Sequence, residues 1–171
     1  AGLVLKLKSA AQLQSVIAHE AAHINNEHIS QCLASARWAK MATSFGVLVA
    51  AAAVGAGHTD AGLVLALGAT GSVNRILLAH TRIEDSAADQ SAFRFMNAAK
   101  IDPVAMAEVF ELFIGQSNLS EEYQDPYTRS HPLNRDRIRI VNAYAANATS
   151  YLPDAKQAYW FSRIQGKLSG F

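Results

Sequence analysis

The pentapeptide His19-Glu20-Ala21-Ala22-His23 limits what this chain can become more than any other feature. It lies in an apolar stretch, with Val16, Ile17 and Ala18 before it and Ile24 after it, where two imidazoles and a carboxylate need partners. Upstream, Ser9-Ala10-Ala11-Gln12 has the form of a capping box, and Leu13, Val16, Ile17, Ala21, Ile24 and Ile29 follow at helical spacing. The pattern predicts a long amphipathic helix from about Ala10 to the mid-thirties or beyond. On it, His19 and His23 lie one turn apart on one face, where two imidazoles can bind one Zn²⁺. Glu20 is rotated by about 100° from His19, so it reaches a water at such a site rather than the metal, as a general base would.

A catalytic zinc needs a third protein ligand and one open position. His28 is about 140° further round the helix than His23 and cannot easily share the metal. The better source is Arg82–Asp89 (RIEDSAAD), within a second helix expected from about Val73 to Ala99. Asp85 and Asp89 are four apart and face the same way. One carboxylate could bind zinc while the other accepts the N–H of a ligand histidine and fixes its tautomer. The competing reading is a charge cluster on a solvated face. His58 and His80 read as structural.

The rest of the chain sets the scale. Its 171 residues, 50% of them hydrophobic, suffice for one domain with a real core. A net charge of +1 with 17% charged residues argues against a nucleic-acid partner. Cys32 is the sole cysteine, so no intrachain disulfide forms, and it is expected as a small core residue. Two apolar runs of about 13 residues each, Phe45–Gly57 and Ala61–Val73, flank His58-Thr59-Asp60. Each is short of the roughly 20 residues a bilayer crossing takes. They read as a buried or hairpin-forming helical pair, or as a surface that meets a membrane or a partner. Asp102-Pro103 marks a break before a helix carrying Val104, Ala107, Val109, Phe110 and Phe113. Gln116–Arg129 reads as a long polar loop, Ser130-His131-Pro132 as the opening of a helix with Ile138, Val141 and Tyr144, and Pro153 as the start of a last helix. Only Leu3–Lys8 alternates as a strand would. The fold class is therefore mainly α.

These pieces together resemble the HtpX/BepA/Oma-type gluzincin metallopeptidases. The resemblance is carried by Leu13–His23 (LQSVIAHEAAH) with His28 after it, Arg82–Asp89, Ile101-Asp102-Pro103 followed by Met106, and Ser130–Ile138 (SHPLNRDRI). It implies a zincin-like minigluzincin: an active-site helix and a partner helix, with a small sheet largely upstream. On that reading residues 1–171 are a single metallopeptidase domain, truncated at the N-terminus, with 45–73 as an apolar helical insertion. Ala1-Gly2-Leu3 resembles the end of the strand before the active-site helix, and Trp160–Phe171 the junction to a tetratricopeptide array.

The resemblance also implies one Zn²⁺ held by His19, His23 and the acid four residues before Asp89. That acid is Asp85, where the family usually has Glu. Glu84 is the alternative, although helical phase turns it about 100° away. Asp89 and Arg137 take supporting places around the ligands, Arg137 with a surface salt bridge as its other reading. His131 matches a histidine near the metal in some relatives, where it gates the site or stabilises the tetrahedral intermediate. The implied activity is endopeptidase cleavage of misfolded or envelope polypeptides in the bacterial periplasm or at its membranes. Residues 45–73 would meet a membrane surface or envelope protein, and a repeat domain would follow. Two other readings stand beside it: a catalytically weak domain that binds substrates or assembles with a partner, and a structural zinc site with His131 as fourth ligand.

Overall fold

Ser9 opens the first long helix as its spacing predicts, its hydroxyl accepting from the Gln12 N–H. The Gln12 side chain reaches back one residue further, to the N–H of Lys8 at 2.6 Å. In the computed structural model, which describes residues 2–170, eight α-helices follow one another: α1 (Gly2–Lys6), α2 (Ala10–Asn25), α3 (His28–Gly55), α4 (Thr59–Ala98), α5 (Val104–Leu112), α6 (Pro126–Ser130), α7 (Arg135–Asn147) and α8 (Ala155–Leu168). Among the described residues there is no strand, and the protein is mainly α. Leu3–Lys8, expected as a strand, instead contributes to α1. A strand needs a neighbour for its backbone N–H and C=O groups, whereas a helix satisfies them locally.

The predicted single helix through residues 10 to the mid-thirties is two. Asn26 caps α2 through its N–H on Ala22 O, and Glu27 turns the chain with φ 57° before α3 starts. Few non-glycine residues adopt this left-handed geometry. The polar stretch 116–129 also holds more order than a loop. It contains two 3₁₀ turns, Gln116–Asn118 and Glu121–Tyr123, and most of α6, which Asp125 caps ahead of Pro126.

The chain forms two compact units. One takes in the chain up to Asn26 and again from Asp85 onward; the other is Glu27–Glu84. In the first, α5 packs on α2 and α7. Ala18, Phe93, Met96, Met106, Phe110 and Val141 make one core cluster, and Leu7, Val16, Val109, Phe113 and Phe161 another. Phe93 stacks on Tyr144 with centroids 4.0 Å apart. This packing holds α2 by its inner face through Ala18 and Ala22, both buried, so the His19 side of the helix is fixed in rotation.

The second unit is a hairpin of α3 and residues 59–84 of α4. A Cβ on Gly46 would come within 2.5 Å of Ala69 Cβ, and one on Gly62 within 2.7 Å of Ala50 O, so glycine permits the close antiparallel approach. The apolar runs do form the helical pair expected of them, but they are not buried. Only 6% of the apolar window of either helix is covered, and Cys32, expected in a core, is exposed. Most of the large apolar side chains described in this hairpin are exposed, and Cys32 is exposed with them.

Candidate metal centre

Four side chains from three places in the chain converge. α2 supplies His19 and His23 from successive turns, and α4 supplies Asp85. His131 comes from the end of α6, its backbone N–H on Tyr127 O. The helix expected to open at Ser130-His131-Pro132 begins instead at Arg135, with Asn134 as its cap. A residue before proline is pushed out of helical geometry, and His131 sits at φ −126°, ψ 75° accordingly. It is therefore in a turn between two helices, which lets its ring reach across to Asp85.

His19 Nε2 lies 3.1 Å from His23 Nε2 and 3.4 Å from His131 Nδ1. Asp85 Oδ1 lies 2.8 Å from His131 Nδ1, 3.3 Å from His23 Nε2 and 3.6 Å from His19 Nε2. Tetrahedral zinc with bonds of about 2.0–2.1 Å sets its ligand atoms roughly 3.3 Å from one another. The separations bracket that value, and the donor set of three imidazoles and one carboxylate suits the ion.

Behind these donors stands a buried charge network. His19 Nδ1 lies 2.9 Å from Asp89 Oδ1, though off the angle of a well-formed hydrogen bond. Arg137 donates from Nε and Nη2 to the two Asp89 oxygens at 2.7 and 2.9 Å, a bidentate fork. Its Nη1 donates to Pro132 O and lies 3.0 Å from Asp85 Oδ2. Phe110 covers its guanidinium, 5.2 Å from the ring centroid. Burial alone would lower the pKa of His19; the carboxylates of Asp85 and Asp89 outweigh it and raise the pKa. Arg137 shows the same balance, burial opposing and Asp89 and Asp85 prevailing.

Glu20 points to the open side. Its side chain is 46% exposed and its Oε1 lies 3.4 Å from His131 Nε2. Glu84, the alternative acid, lies against His80 Nδ1 at 3.1 Å and outside the four-residue group. His28 is not in the group either. Sequence reasoning passed over Tyr127. Its ring sits between His131 and Phe113, at centroid distances of 5.0 and 5.7 Å. Burial and the charge of Glu20 raise its phenol pKa. The signal was there in Asp125-Pro126, a cap and first-turn proline that place Tyr127 one helical turn before His131. A cleft of 790 Å³ also opens on this unit, lined by Lys8, Glu108 and Tyr151 among others, but none of the four donors faces it.

The family model for peptidase family M48 matches residues 1–145. The chain belongs to peptidase family M48. It is also 30% identical, over 146 residues, to a Vibrio cholerae serotype O1 (strain ATCC 39315 / El Tor Inaba N16961) protein named "Putative beta-barrel assembly-enhancing protease". The match covers 80% of this chain and 28% of that relative, so the chain spans little more than a quarter of the relative's length. No solved structure matches it. Membership of M48 makes this chain a peptidase-family domain, and its His/Asp group is able to hold a metal ion.

Proposed function

We propose that this chain carries the active site of a zinc metalloendopeptidase that cleaves polypeptides, with His19, His23 and Asp85 as ligands and Glu20 as general base. The observation that carries the reading is the group of donor atoms at the separations of a zinc tetrahedron, with a carboxylate beside it on the open side. Zn²⁺ held there would act as a Lewis acid, bringing the pKa of a water towards about 7 and polarising the scissile carbonyl. The chain's own residues do the rest. Asp89 faces His19 Nδ1 and so leaves Nε2 free as the ligand atom. Arg137 grips Asp89 by both oxygens and keeps that carboxylate from swinging away. Glu20 takes the proton from the attacking water at its carboxylate and delivers it to the leaving amine nitrogen.

His131 supports a second reading, in which the site is latent or structural. Its Nδ1 occupies the place of a fourth donor, 2.8 Å from Asp85. A catalytic zinc keeps that position for water. Substrate then enters only when His131 leaves, a gate; otherwise the domain binds or assembles without turnover.

The test is cleavage of casein, with and without chelator, by zinc-loaded wild type and Glu20→Gln. The expected result is a chelator-sensitive activity that falls at least about a hundredfold in Glu20→Gln while zinc content stays the same. Zinc-replete wild type that cleaves no better than Glu20→Gln would sink the enzyme reading. His131→Ala separates the other two: cleavage rises if the residue is a gate, and zinc is lost if it is a structural ligand.

The envelope setting belongs to the same reading. The Vibrio relative is named for beta-barrel assembly, and its greater length leaves room for further domains such as downstream repeats. A misfolded envelope polypeptide is the substrate class this favours.

A further inference from the structure

Between Met41 and Val73 the hairpin is apolar on nearly all sides. Trp38, Phe45, Leu48, Leu63, Val64 and Leu67 are all more than half exposed, and only 6% of either apolar window is buried. Helices with an apolar surface all round belong in a core or in lipid, and the hairpin lacks the polar face of a helix that lies flat on a surface.

The charges are sorted along its length. Between Met41 and Asn74 the sole charged side chain is Asp60, at the turn beside His58. Arg37 and Lys40 close the apolar section on α3, and Arg75 closes it on the returning arm. The pairing that sets Gly46 against Ala69 continues down the hairpin and brings Lys40 level with Arg75. The cations therefore form one tier, with Trp38 beside them at 70% exposure. Basic and tryptophan side chains at one level are what a lipid headgroup layer attracts. From that tier to the turn, Met41–Gly57 spans about 25 Å at 1.5 Å per residue, against roughly 30 Å for the hydrocarbon of a typical bilayer. The mismatch is a few Å, within what a thin bacterial membrane accommodates.

We propose that this hairpin enters a lipid bilayer tip-first, with Arg37, Lys40 and Arg75 against the phosphates of anionic lipids and His58-Thr59-Asp60 leading. The inference rests on the hairpin alone and is independent of the peptidase reading. Residues 27–84 lie in sequence between His23 and Asp85, so the insertion would hold the domain that carries those residues at a membrane.

The experiment uses the full chain with Cys32→Ser and Val64→Cys, labelled at the new thiol with an environment-sensitive fluorophore, and wild type labelled at Cys32. Both are mixed with phosphatidylcholine vesicles with or without phosphatidylglycerol. Insertion predicts that the residue 64 probe shifts to the blue and escapes aqueous iodide, while the Cys32 probe stays accessible. Changing Arg37, Lys40 and Arg75 together to Gln should weaken binding to the anionic vesicles by on the order of a hundredfold, about fivefold per residue, with helix content unchanged. A residue 64 probe equally quenched with and without vesicles overturns the proposal. So does a probe shielded without lipid in a concentration-dependent oligomer that vesicles do not compete away, which would assign the face to a second copy.

Discussion

Asp85 is the residue on which the centre turns. It is fully buried, and Oδ1 faces all three imidazoles while Oδ2 faces Arg137. Asp is one methylene shorter than the Glu that the resemblance leads one to expect, and α2 and α4 bring the carboxylate within 3.6 Å of both α2 histidines all the same. Asp85→Ala should therefore abolish zinc retention after dialysis, and Glu84→Ala should keep it, measured by elemental analysis. The reverse pattern would move the ligand to Glu84. Arg137 is the second sensitive position. Arg137→Met leaves Asp89 and Asp85 buried without their cation, and removal of one partner from a buried pair typically costs about 3–5 kcal/mol. The expected result is a loss of that order in urea unfolding of the zinc-free protein. A change under about 1 kcal/mol would mean that water reaches these carboxylates and that the network is looser than its distances suggest.

At the scale of elements, α6 decides where His131 goes, and Asp125 decides where α6 begins. Its carboxylate caps the Tyr127 N–H and pairs with Lys6. Burial would raise the Asp125 pKa; Lys6 and the Tyr127 N–H prevail and lower it from 3.8. A carboxylate depressed in the folded state stabilises above its unfolded pKa, and that stability is lost as pH falls through the folded value. Asp125→Asn keeps a competent cap but drops the charge. The variant should be less stable than wild type at neutral pH, and the gap should close as pH falls below about 3.8. A gap that is the same at pH 7 and pH 3 would show that Lys6 contributes nothing through charge.

This element also marks how far the sequence could be read. The start of α2 was legible because a cap and an apolar period are local signals, as was the shared face of Asp85 and Asp89. Two features were not. Glu27 breaks the helix in a left-handed geometry that no glycine or asparagine announces at that position. His131 reaches the donors from a turn rather than a helix start, which depends on where α6 and α7 pack. His19, His23 and Asp85 could be picked out as candidates from motif and phase, but the His131–Asp85 approach arises from tertiary structure.

The whole molecule divides into units that differ in what stabilises them. Every donor of the candidate centre belongs to the unit outside Glu27–Glu84, so a metal bound there would be linked to the folding of that unit. A ligand bound only by the folded state stabilises it by about 4 kcal/mol at a thousandfold excess over its dissociation constant. The two tryptophans separate the effects, since Trp160 lies on α8 in the donor-bearing unit and Trp38 on α3 in the hairpin. With Trp38→Phe, fluorescence reports the first; with Trp160→Phe, it reports the second. Zinc removal by chelator should lower the unfolding midpoint seen through Trp160 and leave that seen through Trp38 unchanged. Equal shifts in both would show that the chain unfolds as one cooperative body. No shift in either would mean that the donors hold no ion in solution, and the zinc assignment would fall with it. If the hairpin inserts as proposed and keeps its own stability through zinc loss, it would also keep its place in a membrane, and loss of the metal would stop the proposed cleavage without releasing the domain.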